Sequence, residues 1–560
     1  MESMNARIRV GCRDRRGPLR RIWASIGYDE INWTYTARGK ALYRTLRDLA
    51  EVPYHVRNHN AFTSGNGLSE PARGSTNVYQ EAPDGTPVYA WTLVDRVYDT
   101  IAGAGFRPVI ELGFLPRDLV PTEAQAASWS RDVGHESYEM DGLWKHPPRD
   151  YARWEELCAR FVDHLVGRFG RETVAQWHFE VWNEPNIPNY WKGSFDDYCR
   201  LYDHSAAGVT RALPAARIGG PGLARPAEPS ANEFLRRFLA HCISGRNWAT
   251  GRTGTRLDFI SIHTKGAHYR PRRIYNWQHP IEREAPSTAR MLRDVEVGLE
   301  TIGGFPELRE RPVVVDECDP AVGTIYGVHD NPNFVVTNTE YYPAFLCALV
   351  RRVLDLDRAF GDRIAFITSW AFYMEGKRFF EGNRTLVTND NLEKPIMNGL
   401  RLLSRLGETR LGVESTGRRD HLDVDGPVEE AEVDALAAES PGKVTVLVWH
   451  RADAWWAEGC ARVALVLERL PFPGPVVVRH LRLDGHHSNT YAEWHRQGRP
   501  EDPGPAQLAR LHESGRLALL TAPTRETLGP DGSLQLEFSL PMFGLSLLEI
   551  TPVASGHELS

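Results

Sequence analysis

Two glutamates stand where an apolar, strand-like stretch gives way to a polar segment. Glu184 lies in "FEVWNEPNI", residues 179–187, and Glu317 lies in "RPVVVDECDP", residues 311–320. A carboxylate at a strand end adds little to strand packing, and it is well placed for proton transfer or nucleophilic attack. For either Glu alone an ordinary ion pair is the simpler interpretation, so a catalytic role depends on the two lying together.

A pair of carboxylates across a polar cleft is what cleavage of a glycosidic bond requires. One carboxyl group delivers a proton to the departing oxygen, while the other acts at the anomeric carbon. Enzymes that retain the anomeric configuration hold the two groups about 5–5.5 Å apart, and inverting enzymes hold them about 6.5–9.5 Å apart. The sequence leaves that distance open.

Aromatic and neutral polar side chains occur at the same strand ends. Phe114 in "ELGFLP" and Trp370 in "SWAFY" are candidates for packing against apolar sugar faces, with core packing as the alternative for any single ring. His59, Asn183 and His263 are neutral hydrogen-bonding groups at the ends of the second, fourth and sixth predicted strands. A lone histidine is usually structural, but three polar residues at corresponding strand ends favour a binding site.

The surrounding sequence alternates eight apolar, β-rich stretches with eight helix-like ones before residue 407. The predicted strands are residues 21–27, 54–59, 107–114, 176–184, 217–223, 257–264, 312–319 and 364–372. This alternation predicts an α/β fold, a (β/α)8 TIM barrel, whose loops at the carboxyl ends of the strands build the active site. An open doubly wound sheet is the alternative, although no GxGxxG pattern follows the first strand.

The character of the sequence changes after residue 406. Segments such as "KVTVLVWH" and "SLQLEFSL" are short and β-rich, with Pro, Gly and Asp between them, which is typical of an antiparallel β-sandwich. We expect the N-terminal strand, residues 1–14, to join that sandwich. The predicted domains are therefore a barrel over 15–406 and an accessory sandwich over 407–560.

Composition limits the class of protein and its partners. A chain of 560 residues exceeds what one hydrophobic core usually serves. The net charge of −7 gives no overall electrostatic reason to bind nucleic acid. The seven cysteines are scattered without a CxxC pair, which favours free thiols over a zinc site. No signal-peptide core or long apolar run occurs, so we expect a soluble cytoplasmic protein without a membrane partner.

Taken together, the motifs resemble glycoside hydrolase family 39, a family of retaining barrel glycosidases. The matching stretches are "ELGFLP", "FEVWNEPNIPNYW", "IGGPGLA", "FISIHTKGA", "VVVDECDP", "SWAFY", "FFEGNRTLVTNDNLEKPIMNGLRLL" and "LRLDGHHSNTYAEWHRQG". Their order along the chain is more specific than the WNEP core, which many families share. Family members include β-D-xylosidases, α-L-iduronidases and arabinosidases.

The resemblance implies a role for each candidate residue. Glu184 would be the acid/base, Glu317 the nucleophile, and Asn183 the partner of the sugar 2-hydroxyl. The remaining sugar contacts implied by the family are His59, Phe114, His263, Trp370 and Glu381. The resemblance implies neither a metal nor an organic cofactor, and the expected partner is a small carbohydrate; a homo-oligomer is compatible with the sequence.

The sugar is the open part of the prediction. A β-D-xylosidase acting from chain ends of xylo-oligosaccharides is expected first, with an α-L-arabinosidase or an α-L-iduronidase-like enzyme as alternatives. Asp316 and Cys318 flank Glu317 where bacterial xylosidases of this type more often carry Gly and Ser, and Lys265 and Arg384 could bind a uronide carboxylate. A catalytically inactive carbohydrate-binding barrel should lack one carboxylate, and both are present.

Overall fold

A closed barrel of eight parallel strands forms the larger part of the protein. The computed structural model describes residues 4–65, 67, 74–127, 142–269, 281–321, 326–373, 378–420 and 426–553. The barrel strands, first to eighth, are Ser25–Tyr28, His55–Asn58, Arg107–Leu112, His178–Val181, Arg217–Ala224, Phe259–Lys265, Val313–Asp319, and Ile364–Ile367 continued by Ser369–Trp370. The two halves of the eighth strand pair with the seventh and the first strands. The sheet therefore closes, which confirms the barrel and excludes the open doubly wound alternative.

Eight helices connect the strands and cover the barrel. They are Ala37–Leu49, Thr92–Gly103, Tyr151–Phe169, Phe195–Ala212, Pro229–Ser244, Thr288–Gly303, Tyr341–Ala359 and Pro395–Ser404. The fourth begins at a capping box, in which Ser194 Oγ accepts from the Asp197 N–H at 3.1 Å and the Asp197 carboxylate accepts from the Ser194 N–H at 2.9 Å. These bonds satisfy amide groups that the helix itself leaves without partners.

Shorter elements lie in the loops of the barrel. They are a hairpin of Tyr79–Glu81 and Pro87–Tyr89, the short helices Thr122–Ala127 and Arg171–Val174, and 3₁₀ turns at Ile31–Trp33, Arg117–Leu119, Leu143–Lys145, Pro332–Thr337 and Asn389–Asn391. The hairpin and the turn at Pro332–Thr337 belong to loops at the carboxyl ends of the second and seventh strands. They therefore add walls on the side of the barrel where an active site forms.

The interior of the barrel changes from apolar to charged along its axis. Val109, Phe259, Val314 and Phe366 form a buried apolar cluster. Because side chains two positions apart face the same side of a strand, the next inward positions after Val109 and Val314 are Glu111 and Asp316. The buried apolar layer thus lies beneath a charged layer, which is nearer the carboxyl ends of the strands.

The second domain is one continuous sheet of ten strands. They are Met4–Pro18, Thr409–Ser415, Glu432–Ser440, Lys443–Arg451, Cys460–Glu468, Val476–Leu483, Ala518–Leu519, Thr524–Glu526, Leu534–Pro541 and Leu545–Pro552. Strands from both ends of the sheet contribute to a single apolar core, so the sheet curls onto itself. It is mixed, not purely antiparallel, because Met4–Pro18 runs parallel to Cys460–Glu468 and antiparallel to Thr409–Ser415. This first strand continues past residue 14 to Pro18.

The second domain also has two helices that the sequence did not lead us to predict, Thr490–Arg496 and Pro505–Ser514. Tyr491 and Trp494 of the first of them pack against the ring of Phe380, which follows the eighth barrel strand. The two domains are thus in contact beside a loop of the barrel mouth.

All seven cysteines are free thiols. Among the helices within the described ranges, none is both long and apolar enough to cross a membrane.

Candidate active site

A bulge in the seventh strand directs two consecutive carboxylates into the barrel. Along the sixth strand Val315 pairs with Ile262 and Glu317 with His263, so Asp316 is an extra residue in the ladder. Successive residues of a regular strand face opposite sides, and a bulge re-aims them. Both Asp316 and Glu317 consequently contact buried side chains of the barrel interior. Glu317 therefore lies within the strand and not at its end.

Glu184 lies on a tight turn beyond the fourth strand. That strand ends at Val181, three residues earlier than the sequence predicted, and the turn places Trp182 at φ 69° and Glu184 at φ 44°. Non-glycine residues rarely adopt this left-handed conformation, which is concentrated at functional sites. The Glu184 N–H donates to the Gly222 carbonyl at 3.0 Å and fixes the turn to the fifth strand.

The two glutamates meet across the barrel mouth with a histidine between them. One carboxylate oxygen from each of Glu184 and Glu317 and one ring nitrogen of His263 all lie within 4.8 Å of one another. His263 Nδ1 is 2.9 Å from Glu184 Oε1 and 3.8 Å from Glu317 Oε1. The structure thus brings together three of the predicted site residues.

This triangle is compact enough for a metal ion, but its charges do not suit one. Metal ligands must be deprotonated. Burial lowers the pKa of His263, but the charge of Glu317 and hydrogen bonds to Asp316 and Glu184 outweigh burial and raise the pKa to about 10. His263 is therefore cationic at neutral pH. Both oxygens of Glu317 also accept from cationic side chains, so we interpret the triangle as an acid–base site.

Three basic side chains contact the carboxylate of Glu317. Lys265 Nζ lies 2.8 Å from Oε2, while Arg57 Nη1 and His59 Nε2 lie 3.1 and 3.3 Å from Oε1. Burial raises the pKa of Glu317, but Lys265, His263, His59 and Arg57 together bring it well below its usual range. Glu317 is 6% exposed. It is thus a nearly buried carboxylate that stays ionised.

Arg57 is the centre of the charged layer beneath the glutamates. Its guanidinium lies 2.6 Å from Glu180 and 3.2 Å from Glu111, and it donates to Asn183 Oδ1 at 2.9 Å. Burial raises the pKa of Glu180 well above its usual range, although Arg57 acts in the opposite direction, whereas the charges of Arg57 and His263 lower the pKa of Asp316, 3.4 Å from Arg57. The cation thus orients Asn183 beside Glu184 and balances the carboxylates around it.

Asn183 keeps one buried hydrogen-bonding group unused. Its Oδ1 accepts from Arg57, whereas its Nδ2 has no hydrogen-bond partner among the described residues. A buried polar group without a partner costs about 1–3 kcal/mol. The N–H group is therefore available to a ligand bound between the two glutamates.

His59 lies among acidic residues on the opposite wall. Its Nδ1 contacts Glu111, and its Nε2 lies 3.4 Å from Asp29 Oδ1 as well as near Glu317. Burial lowers the pKa of His59, but Glu111, Glu317 and Asp29 outweigh burial and raise the pKa to about 9. The predicted neutral donor is therefore an imidazolium at neutral pH.

Phe114 and Trp370 form the aromatic walls next to His59. Their ring centroids lie 5.6 and 4.6 Å from that of His59. The indole Nε1 of Trp370 donates to Asp29 Oδ2 at 3.1 Å. Gly27 of the first strand makes room for the indole, since a Cβ there would come within 2.3 Å of the ring. Both predicted aromatic residues thus lie at the site.

Lys265 and one further cation, Arg384, lie beside the nucleophile candidate. Lys265 Nζ contacts Asp319 Oδ2 at 2.7 Å, and Arg384 Nη1 lies 4.0 Å from the same oxygen. Arg384 Nη2 lies 3.2 Å from Asp29, and its buried Nε has no hydrogen-bond partner within the described part of the chain. Arg384 therefore keeps an N–H group that a ligand could use.

The described contacts of Glu381 involve the loop that carries Arg384. Glu381 follows the eighth strand, and its carbonyl accepts from the Val328 N–H at 2.7 Å. Its carboxylate acts on the buried ammonium of Lys394, whose pKa burial lowers to about 7. Lys394 in turn donates to the Asn383 carbonyl at 2.8 Å, which fixes the loop that carries Arg384. The described contacts thus place Glu381 in the support of that loop.

Several residues of the site were missed from the sequence. They are Asp29, Arg57, Glu111 and Glu180. A signal for three of them existed, because Arg57, Glu111 and Glu180 are charged residues in the interior of strands. Charged side chains are seldom fully buried unless they are paired, so such residues at strands two, three and four should have been read as partners of one another.

Comparison with known proteins gives the family. The sequence profile described as "Glycosyl hydrolases family 39" matches residues 40–524. A β-xylosidase of Geobacillus stearothermophilus is 25% identical over 503 residues, which cover 88% of this chain and 86% of that protein. An α-L-iduronidase of Canis lupus familiaris is 28% identical over 426 residues, which cover 72% of this chain and 60% of that protein.

Solved structures share the fold. A GH39 enzyme from Xanthomonas axonopodis pv. citri matches with a TM-score of 0.74 at 21% identity, over 99% of this chain and 98% of that one. A bacterial orthologue of human α-L-iduronidase matches with a TM-score of 0.75 at 23% identity, over 100% of this chain and 85% of that one. The family profile spans most of the sequence, which confirms the resemblance seen in the motifs: this chain belongs to glycosyl hydrolase family 39.

Proposed function

We propose that this chain is a retaining exo-glycosidase that acts through a covalent glycosyl-enzyme on Glu317. The observation that carries this proposal is the approach of Glu184 and Glu317, whose nearest oxygens lie within 4.8 Å. Such a separation fits the retaining class, at about 5–5.5 Å between carboxyl groups, and not the inverting class, at about 6.5–9.5 Å. An inverting enzyme needs room for a water between sugar and base, which this spacing does not leave.

The reaction proceeds in two displacements. Glu317 Oε1 or Oε2 attacks the anomeric carbon as the bond to the departing oxygen breaks, and Glu184 gives that oxygen its proton. Glu184 then takes a proton from a water, whose oxygen attacks the same carbon and releases Glu317 as a carboxylate. Both inversions together retain the configuration.

The charges around Glu317 suit a nucleophile. Lys265, Arg57 and His59 keep the carboxylate ionised and hold it in one orientation. Positioned charges of this kind require no reorganisation during the reaction. His263, 2.9 Å from Glu184, orients the acid/base side chain in the same way.

Asn183 is assigned to the sugar 2-hydroxyl. Arg57 fixes the Asn183 amide through Oδ1, so Nδ2 is directed away from the guanidinium and remains free to donate. A hydrogen bond to the 2-hydroxyl strengthens as the oxocarbenium-like transition state forms. Asn183 would therefore stabilise the transition state more than the bound substrate.

A terminal β-D-xyloside is the first candidate for the substrate. The similarity to a β-xylosidase extends along 88% of this chain. Phe114 and Trp370 offer apolar walls to a sugar ring, and the near-complete burial of Glu317 fits a pocket for one terminal sugar. The C5 atom of a xyloside carries only hydrogen atoms besides its bonds within the ring. The substrate therefore needs no charged protein group at that position.

An α-L-iduronide is the second candidate, favoured by Lys265 and Arg384. These cations converge on Asp319 Oδ2 beside Glu317, and the buried Arg384 Nε is without a partner among the described residues. Arginine and lysine bind carboxylates through charge-assisted hydrogen bonds. The C5 carboxylate of a uronide would therefore find a complementary site, whereas a neutral sugar would leave that N–H unused.

One assay panel tests both parts of the proposal. Aryl β-D-xyloside, α-L-arabinopyranoside and α-L-iduronide are offered side by side, and ¹H NMR identifies the anomer first released from the best substrate. Retention of configuration with one of these sugars supports the proposal. A first product of inverted configuration would refute the double displacement, and absence of turnover on all three would refute the substrate class.

A further inference from the structure

An arginine-lined cup lies between the two domains, and none of its lining residues belongs to the active site. Its cavity has a volume of about 220 Å³, and the charged residues in its lining are Arg16, Arg351, Asp355, Arg358, Arg410 and Arg418. Arg351 and Arg358 belong to the barrel helix Tyr341–Ala359, and Arg410 belongs to the strand Thr409–Ser415 of the second domain. Five guanidinium groups from three separate segments thus face one space.

In the buried part of the cup, three arginines donate to one carboxylate. Asp355 accepts from Arg351 Nε at 3.0 Å, from Arg418 Nη1 at 3.0 Å and from Arg410 Nη2. Arg351 also lies 3.6 Å from Asp434. Arg351 and Arg410 are both buried. One carboxylate therefore serves three arginines, two of which have little access to water.

The positive charge of the cup exceeds the negative charge around it. Arg16 pairs with Asp14 at 2.6 Å, so the described carboxylates within ion-pair distance of the five arginines are Asp14, Asp355 and Asp434. Burial raises the pKa of Asp434, which weakens its contribution. The net charge of the cup is thus at least two positive units, and like charges held close together in a protein repel.

Arg358 is the rim residue without a counter-charge. Its one described hydrogen bond is from Nη1 to the Arg16 carbonyl at 3.3 Å, and it forms no ion pair with a described residue. Burial lowers the pKa of Arg410, and the charges of Arg351 and Arg358 act in the same direction. A group that supplied negative charge here would relieve this repulsion.

We propose that this cup is a binding site for a small oxyanion of the phosphate or sulfate type, which bridges the barrel and the second domain. Guanidinium groups bind tetrahedral oxyanions through paired N–H donors, a geometry that lysine does not offer. A water occupies about 30 Å³, so the cavity has room for an anion several times that size. The bound anion would tie helix Tyr341–Ala359 to strands Met4–Pro18 and Thr409–Ser415.

Thermal unfolding of the full chain in inorganic phosphate tests this site. A ligand that binds only the folded state raises Tm, so Tm should be higher in sodium phosphate than in sodium chloride of equal ionic strength. Arg358→Gln and Arg418→Gln remove exposed rim charges, and each should weaken phosphate binding about tenfold, as expected for one charge-assisted hydrogen bond. Arg525→Gln, an exposed arginine on another strand, is the matched control and should keep the full rise in Tm.

Two further measurements complete the test. The value of kcat/KM should be the same in all three variants, since the cup is separate from the catalytic residues. Inorganic sulfate and a sugar phosphate, compared with phosphate, show whether the cup takes free ions or also esters. The proposal fails if wild-type Tm is equal in phosphate and chloride, or if both rim variants keep the phosphate effect unchanged.

Discussion

Lys265 Nζ lies 2.8 Å from Glu317 Oε2, in a site where both side chains are buried. Lys265 thus contacts the proposed nucleophile, and it is also one of the two cations, with Arg384, that favour an iduronide over a xyloside. Lys265 also contacts Asp319 at 2.7 Å, and Asp319 connects it to Arg384. A substrate carboxylate at this point would therefore compete with Glu317 for Lys265 and alter the charge of the nucleophile's surroundings.

Removal of the acid/base should depend on the leaving group. Glu184→Ala should lower kcat/KM about 10²–10⁴-fold for aryl glycosides with poor leaving groups, and much less for dinitrophenyl glycosides, which need no proton. Azide should restore turnover and give a glycosyl azide of retained configuration. Steady-state kinetics across a leaving-group series, with the exposed Glu233→Ala as control, checks this. Equal losses for good and poor leaving groups would contradict the role.

Removal of the proposed 2-hydroxyl contact should act on the transition state. Asn183→Ala should lower kcat/KM by roughly 100-fold, mostly through kcat, because the hydrogen bond strengthens as the transition state forms. A 2-deoxy glycoside lacks the hydroxyl, so wild type and variant should differ little on it. A loss of similar size on both substrates would show that Asn183 acts through the structure of the Arg57 layer instead.

Arg384 distinguishes the two substrate candidates. For a uronide bound as proposed, Arg384→Met should lower kcat/KM for the α-L-iduronide at least about tenfold more than for the β-D-xyloside, as expected for one charge-assisted contact. Arg384→Lys should recover part of the difference. If both substrates lose the same factor, Arg384 has a structural role and the iduronide candidate loses its support.

The free energy of unfolding should fall as the pH rises above neutrality. The folded-state pKa of His59 is about 9, above the unfolded value of about 6.5. The contribution of protonated His59 to the free energy of unfolding is therefore fully present below pH 6.5, and it is lost as the pH rises through 9. Urea unfolding at pH 6, 7.5 and 9.5 should show that the free energy of unfolding falls less with rising pH in His59→Gln than in wild type. Parallel pH profiles for the two proteins would contradict this linkage.

Much of the fold could be predicted from local patterns. The eight strands and eight barrel helices were predicted because each carries its own apolar periodicity, and the Ser194–Asp197 capping box marks one helix start. The helix Thr490–Arg496 was missed because seven residues are too few to show that periodicity. The parallel pairing of the N-terminal strand depends on contacts with residues more than 400 positions away, which local sequence does not encode.

The site was predictable in its residue types and less so in its arrangement. Glu184 and Glu317 could be found from their motifs and from their positions near the carboxyl ends of predicted strands. The bulge at Asp316 arises from pairing with the sixth strand, so the sequence did not show that two consecutive carboxylates face inward. The cationic state of His59 depends on Glu111, from the third strand, and on Asp29, which follows the first strand.

The most direct test of the central claim is the reaction of Glu317→Ala with azide on the best aryl glycoside, with ¹H NMR of the product. Without azide the variant should be inactive, because no group replaces the attacking carboxylate. With azide it should form a glycosyl azide of inverted configuration, since azide attacks in place of Glu317 while Glu184 remains. Near wild-type hydrolysis by the variant, or an azide product of retained configuration, would contradict the assignment of Glu317 as the nucleophile.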